Sequence, residues 1–172
     1  MTGTILGIDP GLTRCGYGIV QAQGTSVRFI AAGVLRTPAD APVEDRLHAV
    51  WEGLDALVAE HRPDALSVER VYAQANLRTV MGTAQVSGLA LTMARLHGVP
   101  VSTYTPTEMK AAITGHGRAE KAQVMAMVQR ILRLDAPVRP ADASDALGLA
   151  ICHAWRGAAR ARIASALSAV GR

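Results

Sequence analysis

The order of its apolar segments constrains the fold of this chain more than any other feature. Three strand-like segments come first, at residues 4–8, 17–23 and 27–36, with only short connections between them. Short connections make neighbouring strands antiparallel, so these segments predict a meander. Two further segments, residues 65–68 and 99–104, are each preceded by a helical pattern. A strand reached through a helix runs parallel to its neighbour, which predicts parallel pairing of strands one, four and five.

Apolar residues recurring with the helical period mark the helices. They predict a helix opened by Pro42, two more over residues 76–96 and 120–134, and a last helix after Pro140. The tetrapeptide Thr-Pro-Thr-Glu at residues 105–108 is a capping box with proline at the first helical position, so a short helix begins there. We therefore predict an α/β fold with a five-stranded mixed sheet flanked by helices on both faces, the architecture of ribonuclease-H-like folds.

The length of 172 residues suits one compact domain. We expect this domain over residues 1–156, followed by residues 157–172 as a basic tail or a helix extension. Hydrophobic residues make up 49% of the chain and charged residues 19%, which indicates a folded protein. We find no signal peptide and no apolar run of about twenty residues, and Cys15 and Cys152 are too few for a disulfide framework. These features predict a soluble, cytoplasmic protein.

Four acidic residues occupy positions that would converge in such a fold. Asp9 ends the first strand and Glu69 ends the fourth, while Asp142 and Asp145 lie three apart on one face of the last helix. Carboxylates brought together need a counter-ion, and oxygen ligands without histidine or cysteine favour Mg²⁺ or Mn²⁺. Two such ions about 3.5–4 Å apart would stabilise an in-line phosphodiester displacement. Singly, Asp145 could cap a helix and Glu69 could pair with Arg70, but the four together predict a nuclease.

The basic residues are unevenly distributed. Residues 1–109 carry a net charge of −2 and residues 110–172 a net charge of +6, so the second part is the candidate phosphate-facing region. A solvated basic tail would give the same charge. Of the eighteen basic residues sixteen are arginine, and only Lys110 and Lys121 are lysine. Either these two survive by chance or the compact ammonium charge is needed where they stand.

Four segments of the chain resemble, in order and spacing, the RuvC family of crossover junction endodeoxyribonucleases. The segments are residues 5–11 with 16–18, residues 68–72 with Asn76, residues 115–124 and residues 141–147. The resemblance extends over nearly the whole chain, up to about His153.

The resemblance implies roles for the charged residues. The metal-binding catalytic carboxylates would be Asp9, Glu69, Asp142 and Asp145. Mg²⁺, replaceable by Mn²⁺ and present as two ions per site, would activate the attacking water. Lys121 or Lys110, near the cleaved strand, would offset the charge that develops on the phosphate.

The resemblance also implies a homodimer that binds a four-way (Holliday) junction and makes paired symmetric nicks, in homologous recombination and DNA repair. A branch-migration complex of the RuvA and RuvB type would be its partner. A twofold substrate needs two equivalent active sites, which supports the dimer on physical grounds. The helix over residues 76–96 is the interface candidate because it carries small residues, namely Gly82, Ala84, Ser87, Gly88 and Ala90. Alternatively, these residues face the sheet.

Residues outside the acidic set are candidates for DNA contact. Tyr72 follows Glu69 in a polar loop, where an exposed aromatic ring could stack on an unpaired base. The rival interpretation is a core tyrosine bonded through its hydroxyl. Asn76 and Arg118 are assigned to DNA binding with Lys110 and Lys121.

Two departures from the family pattern bear on DNA contacts and dimer packing. Cys15 stands where the family commonly has threonine, and residues 85–88 lack an arginine that is often found there. Sequence preference at the cleavage point is therefore open. His116 and His153 could serve as proton carriers or as structural or phosphate-adjacent residues.

Two other classes of protein remain as alternatives. Residues 7–13 also look like the first phosphate loop of actin-like sugar kinases and ATPases, which need a second similar domain that 172 residues do not contain. A DNA-binding protein without catalysis would keep the basic region but would not need all four acids.

Overall fold

The computed structural model describes residues 2–71 and 77–170, the side chains of residues 77–78 and 158–170 excepted. Its strands are β1 (Thr2–Asp9), β2 (Arg14–Gln23), β3 (Ser26–Arg36), β4 (Ala65–Glu69) and β5 (Val101–Tyr104). Its helices are α1 (Val43–His61), α2 (Leu77–Leu96), α3 (Pro106–Thr114), α4 (Lys121–Leu132) and α5 (Ala141–Val170).

The strands form one mixed sheet in the order β3-β2-β1-β4-β5. The first three strands pair antiparallel, and β1, β4 and β5 pair parallel. Ile8 at the centre of the sheet is opposite Tyr17 of β2 and Val68 of β4. The predicted meander followed by parallel strands is therefore confirmed.

Helices cover both faces of the sheet, as predicted. Ile5 belongs to the apolar core beneath α3, α4 and α5, whereas Leu6 and Ile8 belong to the core beneath α1 and α2. This alternation follows from the two-residue period of a strand, and it makes β1 apolar on both faces.

Helix α5 lies almost in contact with the backbone of the sheet. A methyl group at Gly7 would meet the backbone of Ala146, and one at Gly18 would meet the backbone of Leu147. Ser67 of β4 adds a buried hydrogen bond, because its hydroxyl donates to the carbonyl of Leu149 at 2.8 Å. Side chains at these two glycines would hold the helix away from the sheet.

Element ends differ slightly from the predictions, for local reasons. Strand β5 begins at Val101 rather than at residue 99, since Pro100 has no N–H with which to join a ladder. Helix α4 ends at Leu132 rather than at residue 134, because Arg133 adopts a left-handed conformation and its N–H bonds back to the last turn. The capping box of α3 is present as predicted, with Thr105 Oγ1 accepting from the backbone N–H of Glu108 at 3.0 Å.

Among the described residues, no helix combines the length and the hydropathy that crossing a bilayer requires.

The close approach of α5 predicts unequal costs for two glycine substitutions in the sheet. Gly7→Ala should lower the free energy of unfolding by about 3 kcal/mol or more, because the methyl group meets helix backbone that cannot move locally. Gly33→Ala is the matched control. Its methyl group meets only the end of the Tyr17 side chain, which can turn, so the cost should stay below about 1 kcal/mol. Denaturant unfolding followed by circular dichroism measures both, and equal costs would contradict the proposed role of Gly7.

Candidate active site

The carboxyl ends of β1 and β4 carry the first two predicted acids. Asp9 is the last residue of β1 and Glu69 the last residue of β4. Val68 of β4 faces the α1 and α2 core, so its neighbour Glu69 points to the opposite face, where α5 lies. Asp9 points to the same face because Ile8 lies in the α1 and α2 core. Since Ile8 and Val68 are partners in the parallel ladder, the two carboxylates that follow them are neighbours.

The first turn of α5 brings the other two acids to this edge. Asp142 lies in that turn and Asp145 follows it three residues later, and both are partly buried. The main chain of Asp142 lies over Gly16, the β2 partner of Asp9. The glycine at this position therefore lets the helix place its two acids over the end of β1.

Electrostatic coupling shows which acids the fold brings together. Burial raises the pKa of Asp9 to about 8, and the negative charges of Glu69, Asp145 and Asp142 contribute to this rise. Burial also raises the pKa of Glu69 to about 7, with Asp145 as the next cause. Carboxyl groups held this way favour their neutral form in the absence of added positive charge.

Both lysines of the chain act on this acidic cluster. Lys121 Nζ lies 3.7 Å from Asp145 Oδ2 and lowers the pKa of Asp9 and Glu69, opposing burial. Lys110 has the same effect on the pKa of Glu69 and Asp145, although burial leaves the pKa of Asp145 raised overall. The fold thus places both lysines beside the acids.

Asp142 has a different partner, which sequence reasoning missed. Arg14, the first residue of β2, donates from Nε to Asp142 Oδ2 at 2.8 Å, and its Nη2 donates to the same oxygen. The two residues are 128 positions apart, and nothing in the local sequence around Arg14 distinguishes it from other surface arginines. Only the pairing of β1 with β2 and the seating of α5 bring them together.

The donor set suits a hard divalent cation. Asp9, Glu69, Asp142 and Asp145 offer only oxygen ligands. The raised pKa values of Asp9, Glu69 and Asp145 mean that nearby positive charge would favour the ionised form of these three groups. In the part of the chain that the structure describes, no three acidic, histidine or cysteine side chains are already arranged to hold a metal ion. The Arg14 contact holds one oxygen of Asp142, and Lys121 lies beside Asp145. Metal binding would require these contacts to rearrange.

The remaining candidates have varied positions. Arg118 is exposed in the segment before α4, and His116 is exposed in the same segment. His153 is buried, and its Nδ1 lies 2.9 Å from the hydroxyl of Tyr104 in the core, which makes it structural. Tyr72 and Asn76 fall outside the described residues.

The structure describes both positions at which the sequence departs from the family pattern. Cys15 is fully buried in the core beneath α1 and α2, and burial raises the pKa of its thiol to about 12, so it acts as a small apolar side chain. Residues 85–88 lie on α2, where Gln85 and Gly88 are exposed and Ser87 is buried. Neither departure replaces one of the four acids, although the charge of Asp9 contributes to the raised pKa of Cys15.

Comparison with known proteins extends over this whole arrangement. Residues 5–153 match the family model of crossover junction endodeoxyribonuclease RuvC. The RuvC of Frankia alni is 57% identical over 166 residues, which cover 96% of this chain and 84% of that protein. The RuvC of Salinispora arenicola is 58% identical over 163 residues, covering 94% and 93%. The solved structure of T. thermophilus RuvC in complex with Holliday junction substrate aligns with a TM-score of 0.85 at 31% identity, covering 91% of this chain and 95% of that one.

The raised pKa values predict an unusual pH dependence of stability without metal. A carboxyl group whose pKa is raised on folding stabilises the fold while it is neutral, and this stabilisation is lost as pH rises towards about 7 for Glu69 and about 8 for Asp9. In the presence of a chelator, the free energy of unfolding should therefore fall between about pH 5 and about pH 8. The slope should approach 1.4 kcal/mol per pH unit for each such group, roughly.

Asp9→Asn should flatten this decline and make the chelated protein more stable than the parent at the alkaline end. Asp45→Asn, at an exposed position on α1 outside the cluster, is the control and should leave the profile unchanged. Denaturant titrations across the pH range measure the effect. If Asp9→Asn had the same pH profile as the parent, the fold would not raise the pKa of Asp9.

Proposed function

This chain belongs to the RuvC family of crossover junction endodeoxyribonucleases, and we propose that Asp9, Glu69, Asp142 and Asp145 form its catalytic centre. It is accordingly a hydrolase that resolves Holliday junctions in DNA recombination and repair. The alternative of an actin-like kinase is wrong, because the family match spans residues 5–153.

The observation that carries the proposed site is the convergence of partly buried acids at one sheet edge. Asp9 and Glu69 come from neighbouring parallel strands, and both interact electrostatically with Asp145 of α5. A cluster of this kind lowers stability, since each ionised group disfavours ionisation of the next, and such clusters are typical of functional sites. A protein that only bound DNA would not need a cluster that lowers its stability.

The four carboxylates would hold Mg²⁺, or Mn²⁺ in its place, as two ions per site. When bound, these ions would supply Lewis acidity and charge neutralisation at the phosphodiester. The chain itself positions the carboxylates through β1, β4 and α5. Lys121, beside Asp145, and Lys110, near Glu69, are placed to offset the negative charge that develops on the phosphate.

DNA binding is proposed for the surface around this edge. The net charge of +6 over residues 110–172 supports it, and Lys110, Arg118 and Lys121 lie on or just before the helices that border the acids. Tyr72 and Asn76 belong to the proposed contact set through the family resemblance alone. A four-way junction is the proposed substrate, in keeping with the junction bound by the T. thermophilus relative.

A homodimer through α2 is proposed for acting on both strands. Met81 and Leu91 are 56% and 39% exposed, and the exposed Ala84 and Gly88 lie between them on one face of the helix, so that the four residues form one apolar stripe. Ser87 and Ala90 are buried instead, so the small residues of α2 divide between the sheet and the surface. The exposed stripe would let two copies of the helix approach closely.

The setting of the enzyme is also a proposal. We place it in the cytoplasm, working with a branch-migration complex of the RuvA and RuvB type, and family membership supports this. Residues 1–156 are proposed as the nuclease domain. The backbone of α5 continues to Val170, which supports a helix extension for most of residues 157–172.

Cleavage of a synthetic four-way junction tests the catalytic proposal. With Mg²⁺ or Mn²⁺ the protein should make symmetric paired nicks on the junction and leave a matching linear duplex intact, as mapped on all four strands. Asp9→Asn should reduce nicking at least about a hundredfold, because a group acting in the transition state is lost, and should leave junction binding intact. Asp45→Asn controls for the change of charge. Junction binding without cutting by the parent under any cation would refute the proposal.

Introducing charge on α2 tests the dimer. Ala84→Glu would place like charges against each other across a twofold interface, so it should weaken the dimer at least about tenfold. Ala59→Glu, at an exposed position of α1, is the matched control. Analytical ultracentrifugation gives the dissociation constants, and the monomeric variant should make unpaired nicks. A dimer unaffected by Ala84→Glu would place the interface elsewhere.

A further inference from the structure

Arg14 and Asp142 form an ion pair at the rim of the acidic cluster. Two nitrogens of the guanidinium donate to one carboxylate oxygen, Oδ2, with Nε at 2.8 Å. The pair is open to solvent, since the side chains of Arg14 and Asp142 are 42% and 26% exposed. Solvent access means that the contact can exchange, whereas a fully buried pair would be locked.

The backbone beneath Arg14 is fixed by the preceding loop. Arg46 Nη2 donates to Thr13 Oγ1 at 2.7 Å, and Arg46 Nε donates to Thr37 Oγ1 at 3.0 Å. The backbone N–H of Thr37 donates to the carbonyl of Thr13 at 3.2 Å. An exchange of partners by Arg14 would therefore move its side chain, between Asp142 and solvent, and leave its backbone in place.

The positive charge of Arg36, which lies beside Arg14, favours the contact of Arg14 with Asp142. Arg36 of β3 is the direct cross-strand partner of Arg14, so two guanidinium groups start from opposite positions of the same ladder. Like charges placed directly opposite repel. Pairing with Asp142 lowers this repulsion and also reduces the negative charge that Asp142 imposes on Asp9 and Asp145.

We propose that Arg14 is an internal counter-cation for Asp142 that a divalent ion must displace, so that Arg14 lowers the affinity of the site for metal. The proposal rests on the metal-binding role assigned to the four carboxylates. The guanidinium occupies an oxygen that the ion would use, so this contact has to break before the ion can bind to Asp142. Arg14 is thus a positioning residue that acts through Asp142.

Mn²⁺ binding without DNA tests this inference. Isothermal titration of the full chain at fixed ionic strength should show Arg14→Gln binding Mn²⁺ roughly three- to tenfold more tightly than the parent. Arg28→Gln is the matched control, because it removes the same charge from an exposed position near the other end of β3, away from Arg14. Its affinity should stay within about twofold of the parent, as expected for a screened surface charge.

A double-mutant cycle shows whether the effect passes through Asp142. In an Asp142→Asn background, Arg14→Gln should no longer tighten Mn²⁺ binding, because no carboxylate is left to release. Arg14→Lys keeps the charge without the two-nitrogen contact and should tighten binding less than Arg14→Gln does. If Arg14→Gln does not fold, as judged by thermal unfolding, the comparison of parent and Arg14→Lys in both backgrounds decides.

Three results would overturn the inference. Weaker binding by Arg14→Gln would mean that the guanidinium presents Asp142 to the metal, and equal gains in Arg14→Gln and Arg28→Gln would mean a general charge effect. A gain that persists in the Asp142→Asn background would exclude the proposed route. Failure of the metal site itself gives a different result, because the parent and Asp9→Asn would then bind Mn²⁺ alike.

Discussion

The contact between α5 and the bare backbone of the sheet is the constraint on which the rest of this structure depends. Gly7, Gly16 and Gly18 form a smooth surface on β1 and β2 where any side chain would collide with the helix. Because α5 packs so close to the backbone of the sheet, its N-terminal end reaches the ends of β1 and β4. The same seating places Leu147 and Ile151 in the core, so packing and the position of the acids have one origin.

The architecture could be predicted from connection lengths and apolar periods alone. Strand order, strand direction and the faces of Asp9 and Glu69 follow from short turns, intervening helices and the two-residue period. The ends of the elements were less predictable. Helix α4 ends because Arg133 adopts a left-handed backbone conformation, which an arginine in the sequence does not indicate. The ion pair of Arg14 could not be predicted at all, because it joins residues 128 positions apart through the packing of a helix on a strand.

The electrostatics of the acidic edge combine two opposing requirements. Buried carboxyl groups at Asp9 and Glu69 resist ionisation, yet the proposed chemistry needs them charged. The ion pairs of Lys121 and Arg14 are made with the two acids of α5, while the strand acids feel the lysine charge from further away. The chain therefore balances part of this negative charge itself, and the proposed cation would balance the remainder.

The four acids of this edge come from three elements, β1, β4 and α5, which are synthesised in that order. No contiguous fragment shorter than residues 9–145 contains all four of them. Helix α5, which supplies the last two, packs on the backbone of β1 and β2 and therefore needs the sheet to be formed. Under the catalytic role proposed for the four acids, a chain still being synthesised, or one that has lost its last helix, would lack a complete active site. Topology alone would then keep an incomplete chain from cutting DNA, without a separate inhibitor.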